Sequence, residues 1–491
     1  MTLERDIENS TKRRHPHRHP VPTRAERGSF KKALVDFDVP REALETLDRF
    51  QIEVLAKLKT VVGRVESLFA MQESSDDKGK FYPEDASKAE LNREAEINPA
   101  IDSPYPVVVR AEDGSLRTIP AHIYYGAAIK NKGIVKRLKE AAREAGKGKK
   151  RDSQFQTYLN KKADALENGD YKAAERAWLS MDHEPVVDLM FGLYDTYIDR
   201  FRHKKYAWSA SVGVLNPELT AHSQWFTDKF LSWWEKDNGK EAPRVRVRID
   251  HTRLYAGVPA RMEFAAESYP CQPEWRKELG SKFIIFEPAF KDQLDHRWLH
   301  AFRDFIDPSK MQGITDAFVS TSALRLYTAH ELGHSLETEE DFERFQNEKD
   351  WLKELDCELE AIVGYREIEG VSKKESEIAF ALSLASGYME FARRPRRKDY
   401  YKAFTQIPGY LIQEGILRIE NGKFTWQNTE ETFDALRKMR HQVKSLITNG
   451  RLRDVQVFDR NYFNQEIYNF LLTGSTYPSD LQFEAGSPIQ N

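Results

Sequence analysis

Apolar side chains recur at three- and four-residue steps from about residue 41 to residue 72: Leu44, Leu47, Phe50, Val54, Leu58, Val61, Val65 and Leu68. That period predicts an amphipathic helix with one buried stripe. A polar stretch at 73–80 (ESSDDKGK) interrupts it. Residues 105–119 then change rhythm, with VVVR and LRTI flanking Asp113-Gly114, which predicts a β-hairpin. The helical period returns over 123–182. Its basic stretch from Lys130 to Arg151 reads as a solvated helix face, because aromatic residues are sparse within it. Strand signals concentrate in 244–290: RVRVRI alternates, MEF is short and apolar, and KFIIF is apolar enough to be buried on both sides. From about Asp316 to 448 the pattern is again helical, broken by a second expected hairpin, Ile416–Trp426, around Asn421-Gly422. Asn428 and Glu431 form a capping-box pattern ahead of a helix bearing Phe433, Leu436, Met439, Val443 and Leu446. There is no internal repeat.

The ends differ from the middle. Residues 1–30 contain KRRHPHRHPVP, a mixture of Arg, His and Pro that cannot build a core and reads as a flexible basic arm. The stretch 476–491 lacks periodicity and reads as a tail. Between them the pattern suggests a lobe of helices and a β-core over 31–300 and a helical lobe over 301–475.

Composition narrows the class. The 491 residues are 40% hydrophobic and 31% charged, as in globular proteins. No apolar run approaches the ~18 residues that span a bilayer, and no apolar signal segment opens the chain, so a cytoplasmic protein is expected. With 75 basic and 78 acidic side chains the formal charge is −3, which gives no general attraction to nucleic acid or to a membrane surface. Cys271 and Cys357 are the only cysteines, so neither a disulfide framework nor a cysteine-rich metal site is expected; a metal must be held by His and carboxylate.

The chemistry concentrates in His330-Glu331-Leu332-Gly333-His334. Four residues along a helix is about one turn, so both imidazoles share a face and can grip one zinc ion at about 2.0–2.1 Å, while Glu331 lies beside the metal as a general base. The next helix, Lys353–Tyr365, begins about twenty residues further on and bears Glu354, Asp356, Glu358 and Glu360. One of these acids is expected to complete the ligand set. Two pairs four apart, Asp356/Glu360 and Glu354/Glu358, each offer one acid for the metal and one to orient a ligand imidazole through its second nitrogen.

At this point the chain resembles the dipeptidyl peptidase III family of zinc metallopeptidases, in its shorter bacterial-type form with a five-residue HExxH motif. The resemblance runs through FYPEDASKA (81–89), SPYPVVVRAEDGSLRTIP (103–120), residues 161–208, the zinc helix, DCELE (356–360) and residues 403–439, in family order. It implies a mainly α fold with a smaller mixed β-core, in two lobes separated by a cleft, with one zinc ion per chain on the helical lobe. It implies that His330 and His334 bind zinc with Asp356 as third ligand, that Glu360 supports a ligand from behind, and that Glu331 is the base. Tyr197 would stabilise the oxyanion and Asp195 would pair with a substrate ammonium. The implied reaction is removal of dipeptides from short peptides. Two family positions differ: where a His and an Arg are usual, this chain has Tyr400 and Gly409. Three readings follow from the sequence: a zinc hydrolase of short peptides or small amides, a zinc Lewis-acid enzyme acting on a specialised small molecule on the same scaffold, and a non-catalytic binding homologue.

Overall fold

The computed structural model describes residues 34–473, apart from 75–77, 149, 263, 337–338 and 394–397. The expected basic arm and tail lie outside the described residues. Two compact units are present. Among the described residues, one comprises those up to Ala221 with Arg244–Phe290; the other comprises His222–Pro243 and those from Lys291 onward. Among the described residues no helix is long and apolar enough to cross a membrane.

The first unit is built on a six-stranded mixed sheet. Its strands are β1 (Leu34–Asp36), β4 (Val187–Tyr194), β5 (Ala207–Leu215), β6 (Val245–Gly257), β7 (Ala266–Tyr269) and β8 (Ser281–Phe286); β2 (Val107–Arg110) and β3 (Leu116–Ile119) form the expected hairpin apart from it. The order is β4-β5-β6-β8-β7, with β1 also on β6, and only β6 and β8 run parallel. The predicted long helix is α1 (Arg49–Phe69). Asp48 starts it by accepting the Phe50 and Gln51 amides, while the Gln51 side chain returns to the Asp48 amide. Val54, Leu58, Val61, Val65 and Leu68 of α1 share one core with Leu189, Phe191, Val212 and Leu254 of the sheet. Helices α2 (Ile134–Ala145), α3 (Lys150–Asn168) and α4 (Tyr171–Leu179) fill the expected 123–182 region. Of MEF, expected as a strand, Met262 and Phe264 lie outside any strand and Glu263 falls outside the described residues. Met262 ends a short helix, Val258–Met262, and the strand β7 starts at Ala266 instead.

Helix α5 (Pro217–Asn238) leads into the second unit. There the zinc-motif helix is α6 (Asp316–Leu336), followed by α7 (Lys349–Glu367), α8 (Lys373–Arg393), α9 (Lys398–Gln413), the hairpin β9 (Leu417–Glu420) and β10 (Lys423–Trp426), α10 (Thr429–Asn449), α11 (Leu452–Tyr462) and α12 (Gln465–Thr473). Asn428 caps α10 by accepting the Glu430 and Glu431 amides. Upstream of the motif, Arg325 of α6 is gripped by two helices, α5 and α8. Its Nε donates to His222 Nε2 at 2.9 Å, it pairs with Glu375, and it lies over the Trp225 and Phe226 rings. Tyr365 of α7 donates to the same Glu375 carboxylate at 3.0 Å. These contacts fix the rotation of α6 about its axis, and so the direction in which its histidines point.

Candidate metal centre

α6 can approach α7 closely because position 333 is glycine. A Cβ there would meet Cys357 Cα at 2.9 Å, Cβ at 3.0 Å and Sγ at 3.2 Å, inside normal carbon contact distance. Leu332 and Ala329 on α6, and Leu355 and Leu359 on α7, are buried around this contact. The close approach places polar groups of α7 directly against the two histidines.

The imidazoles of His330 and His334 stand 5.0 Å apart, centre to centre, nearly perpendicular at 84°. Glu354 Oε2 lies 3.4 Å from His330 Nε2 and 3.7 Å from His334 Nε2. The three donor atoms all fall within 4.8 Å of one another, a group able to hold a metal ion. Donors bonded to one tetrahedral zinc at about 2.1 Å stand about 3.4 Å apart, close to the two distances from Glu354 Oε2.

Both imidazoles are held from behind. His330 Nδ1 meets Glu358 Oε2 at 2.8 Å, and Ser383 of α8 donates to the other oxygen, Glu358 Oε1. His334 Nδ1 meets Cys357 Sγ at 3.2 Å. A partner on Nδ1 leaves Nε2 to face the shared centre. Electrostatics favour a cation there. Burial opposes charge on His330, yet its hydrogen bonds with Glu354 and Glu358 outweigh this and raise its pKa well above the usual value. Burial likewise opposes charge on Glu354, but the His334 and His330 imidazoles hold its carboxyl down at about 2. Glu331 is half-buried, next to His330. Burial pushes its carboxyl up to about 7, against the lowering influence of His330 and of a hydrogen bond with Tyr327, one turn earlier on α6.

Two solved structures share this arrangement of elements. One is dipeptidyl peptidase III from Caldithrix abyssi: TM-score 0.75, 16% identity, covering 90% of this chain and 94% of that one. The other is dipeptidyl-peptidase III from Corallococcus sp. strain EGB: TM-score 0.73, 16% identity, covering 92% and 95%. The chain has the dipeptidyl peptidase III fold. No protein-family model and no curated protein matches its sequence.

Within this dipeptidyl peptidase III scaffold the acids are arranged differently from the expectation. Asp356, the expected third ligand, points away from the imidazoles and accepts from Lys444 of α10 at 3.0 Å. Glu360, the expected support, lies with it: Arg440 Nη2 donates at 3.0 Å and Lys444 Nζ stands 2.8 Å away. Helical phase explains this. Two residues are about 200° of helix, so 354/358 and 356/360 sit on opposite faces of α7. One face meets α6, and the other meets the cations of α10. Glu354 and Glu358, not Asp356 and Glu360, are the acids that lie against the two imidazoles.

Tyr197 and Asp195 lie in the sheet-bearing unit, just beyond β4. Tyr197 is 47% exposed, and its ring contacts Phe264. Asp195 adopts φ 58°, the left-handed region. Its carboxyl is 3.5 Å from the Cys271 thiol and is hydrogen-bonded to Glu267; burial raises its pKa against both partners. Glu267 and Cys271 are thus acid-and-thiol neighbours that sequence reasoning missed. Tyr400 lies on α9. Gly409, on the same helix, is a steric requirement: a Cβ there would come within 2.1 Å of the Tyr462 carbonyl oxygen. α11 therefore covers the ground that a side chain at 409 would occupy.

Proposed function

We propose that this chain is a zinc-dependent hydrolase of short peptides or small amides, working from His330, His334 and Glu354. The observation that carries the reading is the donor triangle, with Glu354 Oε2 at 3.4 and 3.7 Å from the two Nε2 atoms. Zinc held by these three donors would supply a Lewis acid. Glu331, next to His330 and half-buried, accepts a proton from the attacking water on its carboxylate and passes it to the leaving nitrogen. Glu358 and Cys357 hold the imidazoles so that Nε2 faces inward. The roles that the resemblance implies for Tyr197, donor to the oxyanion, and for Asp195, partner of a substrate ammonium, belong to the same reading.

The test is metal analysis of the purified protein with a mass-spectrometric screen of a mixed peptide library. One zinc per chain, hydrolysis abolished by chelation, and a Glu331→Gln variant that keeps its metal but loses turnover are expected. Hydrolysis that survives complete chelation would refute it. The packing of α11 against Gly409 favours a second reading, in which the same metal centre acts on a specialised small molecule instead of a peptide. Peptides with free and blocked N-termini separate the two, since rapid dipeptide release excludes the second.

A further inference from the structure

Helix α8 contributes one polar side chain to the back of the metal centre. Residues Ile378, Ala379, Phe380, Ala381, Leu382, Leu384 and Ala385 of α8 are buried and apolar, and Ser383 stands among them with 4% exposure. A serine inside a helix ordinarily returns its hydroxyl to the carbonyl one turn back. Here the single O–H donor goes to another helix, to Oε1 of Glu358. Glu358 has a side chain only 5% exposed and uses its other oxygen on His330 Nδ1. A chain of contacts thus runs from α8 through α7 to α6: Ser383 to Glu358 to His330.

We infer that Ser383 is a positioning residue for the metal centre, acting through Glu358 on the His330 imidazole. The inference rests on the proposed ligand set. A carboxylate turns easily about its terminal torsion, where the energy wells are broad, and an imidazole about its own. The Ser383 hydroxyl fixes the plane of the Glu358 carboxylate by holding Oε1. That aims Oε2 at Nδ1 and keeps His330 Nε2 at the point it shares with His334 Nε2 and Glu354 Oε2. Without the hydroxyl the carboxylate is free to turn and the ring to follow it, although neither Glu358 nor His330 has been changed.

The experiment compares the full-length protein with Ser383→Ala, Ser383→Thr and Ser383→Cys. Each is freed of metal and titrated with Zn²⁺ against a chromogenic chelator and with Co²⁺ by visible absorption. Thermal unfolding of the metal-free forms is followed in parallel. Loss of an outer partner of a metal ligand typically weakens metal binding about 10–100-fold. Ser383→Ala is expected to lose that much and to shift the Co²⁺ ligand-field bands, while Ser383→Thr, which keeps the hydroxyl, restores both. Should the alanine variant not fold, Ser383→Cys, close in size but a poor donor, is expected to show a weaker form of the same loss. A Ser383→Ala or Ser383→Cys protein that is destabilised when metal-free, yet binds both ions with wild-type affinity and an unchanged Co²⁺ spectrum, would overturn the inference and leave Ser383 a packing residue. Failure of the wild-type protein itself to bind either ion would instead overturn the ligand set.

Discussion

Glycine in the middle of a helix usually weakens it, and replacement by alanine gains up to about 1 kcal/mol. At Gly333 the sign should reverse. The added methyl would lie 2.9 Å from Cys357 Cα and 3.0 Å from Cys357 Cβ, where carbon atoms prefer about 3.5–4.0 Å. α6 and α7 must therefore part by roughly half an ångström or more. Such overpacking costs about 1–3 kcal/mol. In the metal-free protein the helices can separate to relieve it. With the metal bound they cannot, because Glu354 of α7 must remain within about 3.4 Å of two nitrogens on α6. The strain therefore falls on metal binding, weakening it by about 5- to 150-fold at 1.4 kcal/mol per factor of ten. The assay is Zn²⁺ competition against a chelator, with thermal unfolding of both forms. Gly126, which opens the short helix Gly126–Asn131 and has nothing near its missing Cβ, is the control: Gly126→Ala should leave binding unchanged and stability equal or higher. Wild-type zinc affinity in Gly333→Ala would refute the argument that the glycine sets the α6–α7 distance.

The two faces of α7 separate functionally. Glu354→Gln should lower zinc affinity by at least tenfold, whereas Asp356→Asn should leave zinc binding near wild type and destabilise the fold by about 1–3 kcal/mol, the range for a buried polar group losing its partner; chelator competition and chemical denaturation check them. His222 predicts a pH dependence of stability. Burial, with the Arg325 charge adding to it, depresses its pKa from 6.5 to about 4. The unfolded chain therefore takes up the proton first, so this contribution is complete above pH 6.5 and is lost as pH falls toward 4. The difference in unfolding free energy between wild type and His222→Gln should shrink across that window, and a difference independent of pH would contradict the assignment.

The sequence carried the architecture unevenly, for physical reasons. α1 and the hairpins β2–β3 and β9–β10 were legible because each buries one side and exposes another, so period and turn residues appear in the residue order. Strands β4 (VDLMFGLY) and β5 (AWSASVGVL) were not anticipated. Both are buried along almost their whole length, so no two-residue alternation marks them. His222–Pro243 groups with the helical unit through contacts to residues more than a hundred positions away, such as Arg325 with His222, which no local pattern encodes. At the candidate site the pairing of His330 with His334 could be read from one helical turn. The choice among Glu354, Asp356, Glu358 and Glu360 could not, because both pairs have the same spacing. What separates them is Arg440 and Lys444, some eighty residues later, which draw one pair to the far side of the helix. Ser383 gave no signal, since a lone serine in an apolar helix looks the same whether it bonds its own backbone or a neighbour's carboxylate.

The central claim is that His330, His334 and Glu354 converge on one metal ion. Anomalous diffraction collected at the zinc absorption edge from crystals grown with Zn²⁺ tests it most directly. The account predicts a single strong peak within about 2.0–2.2 Å of His330 Nε2, His334 Nε2 and a Glu354 oxygen. A peak on the Asp356 side of α7, or no peak at the two imidazoles, would contradict it.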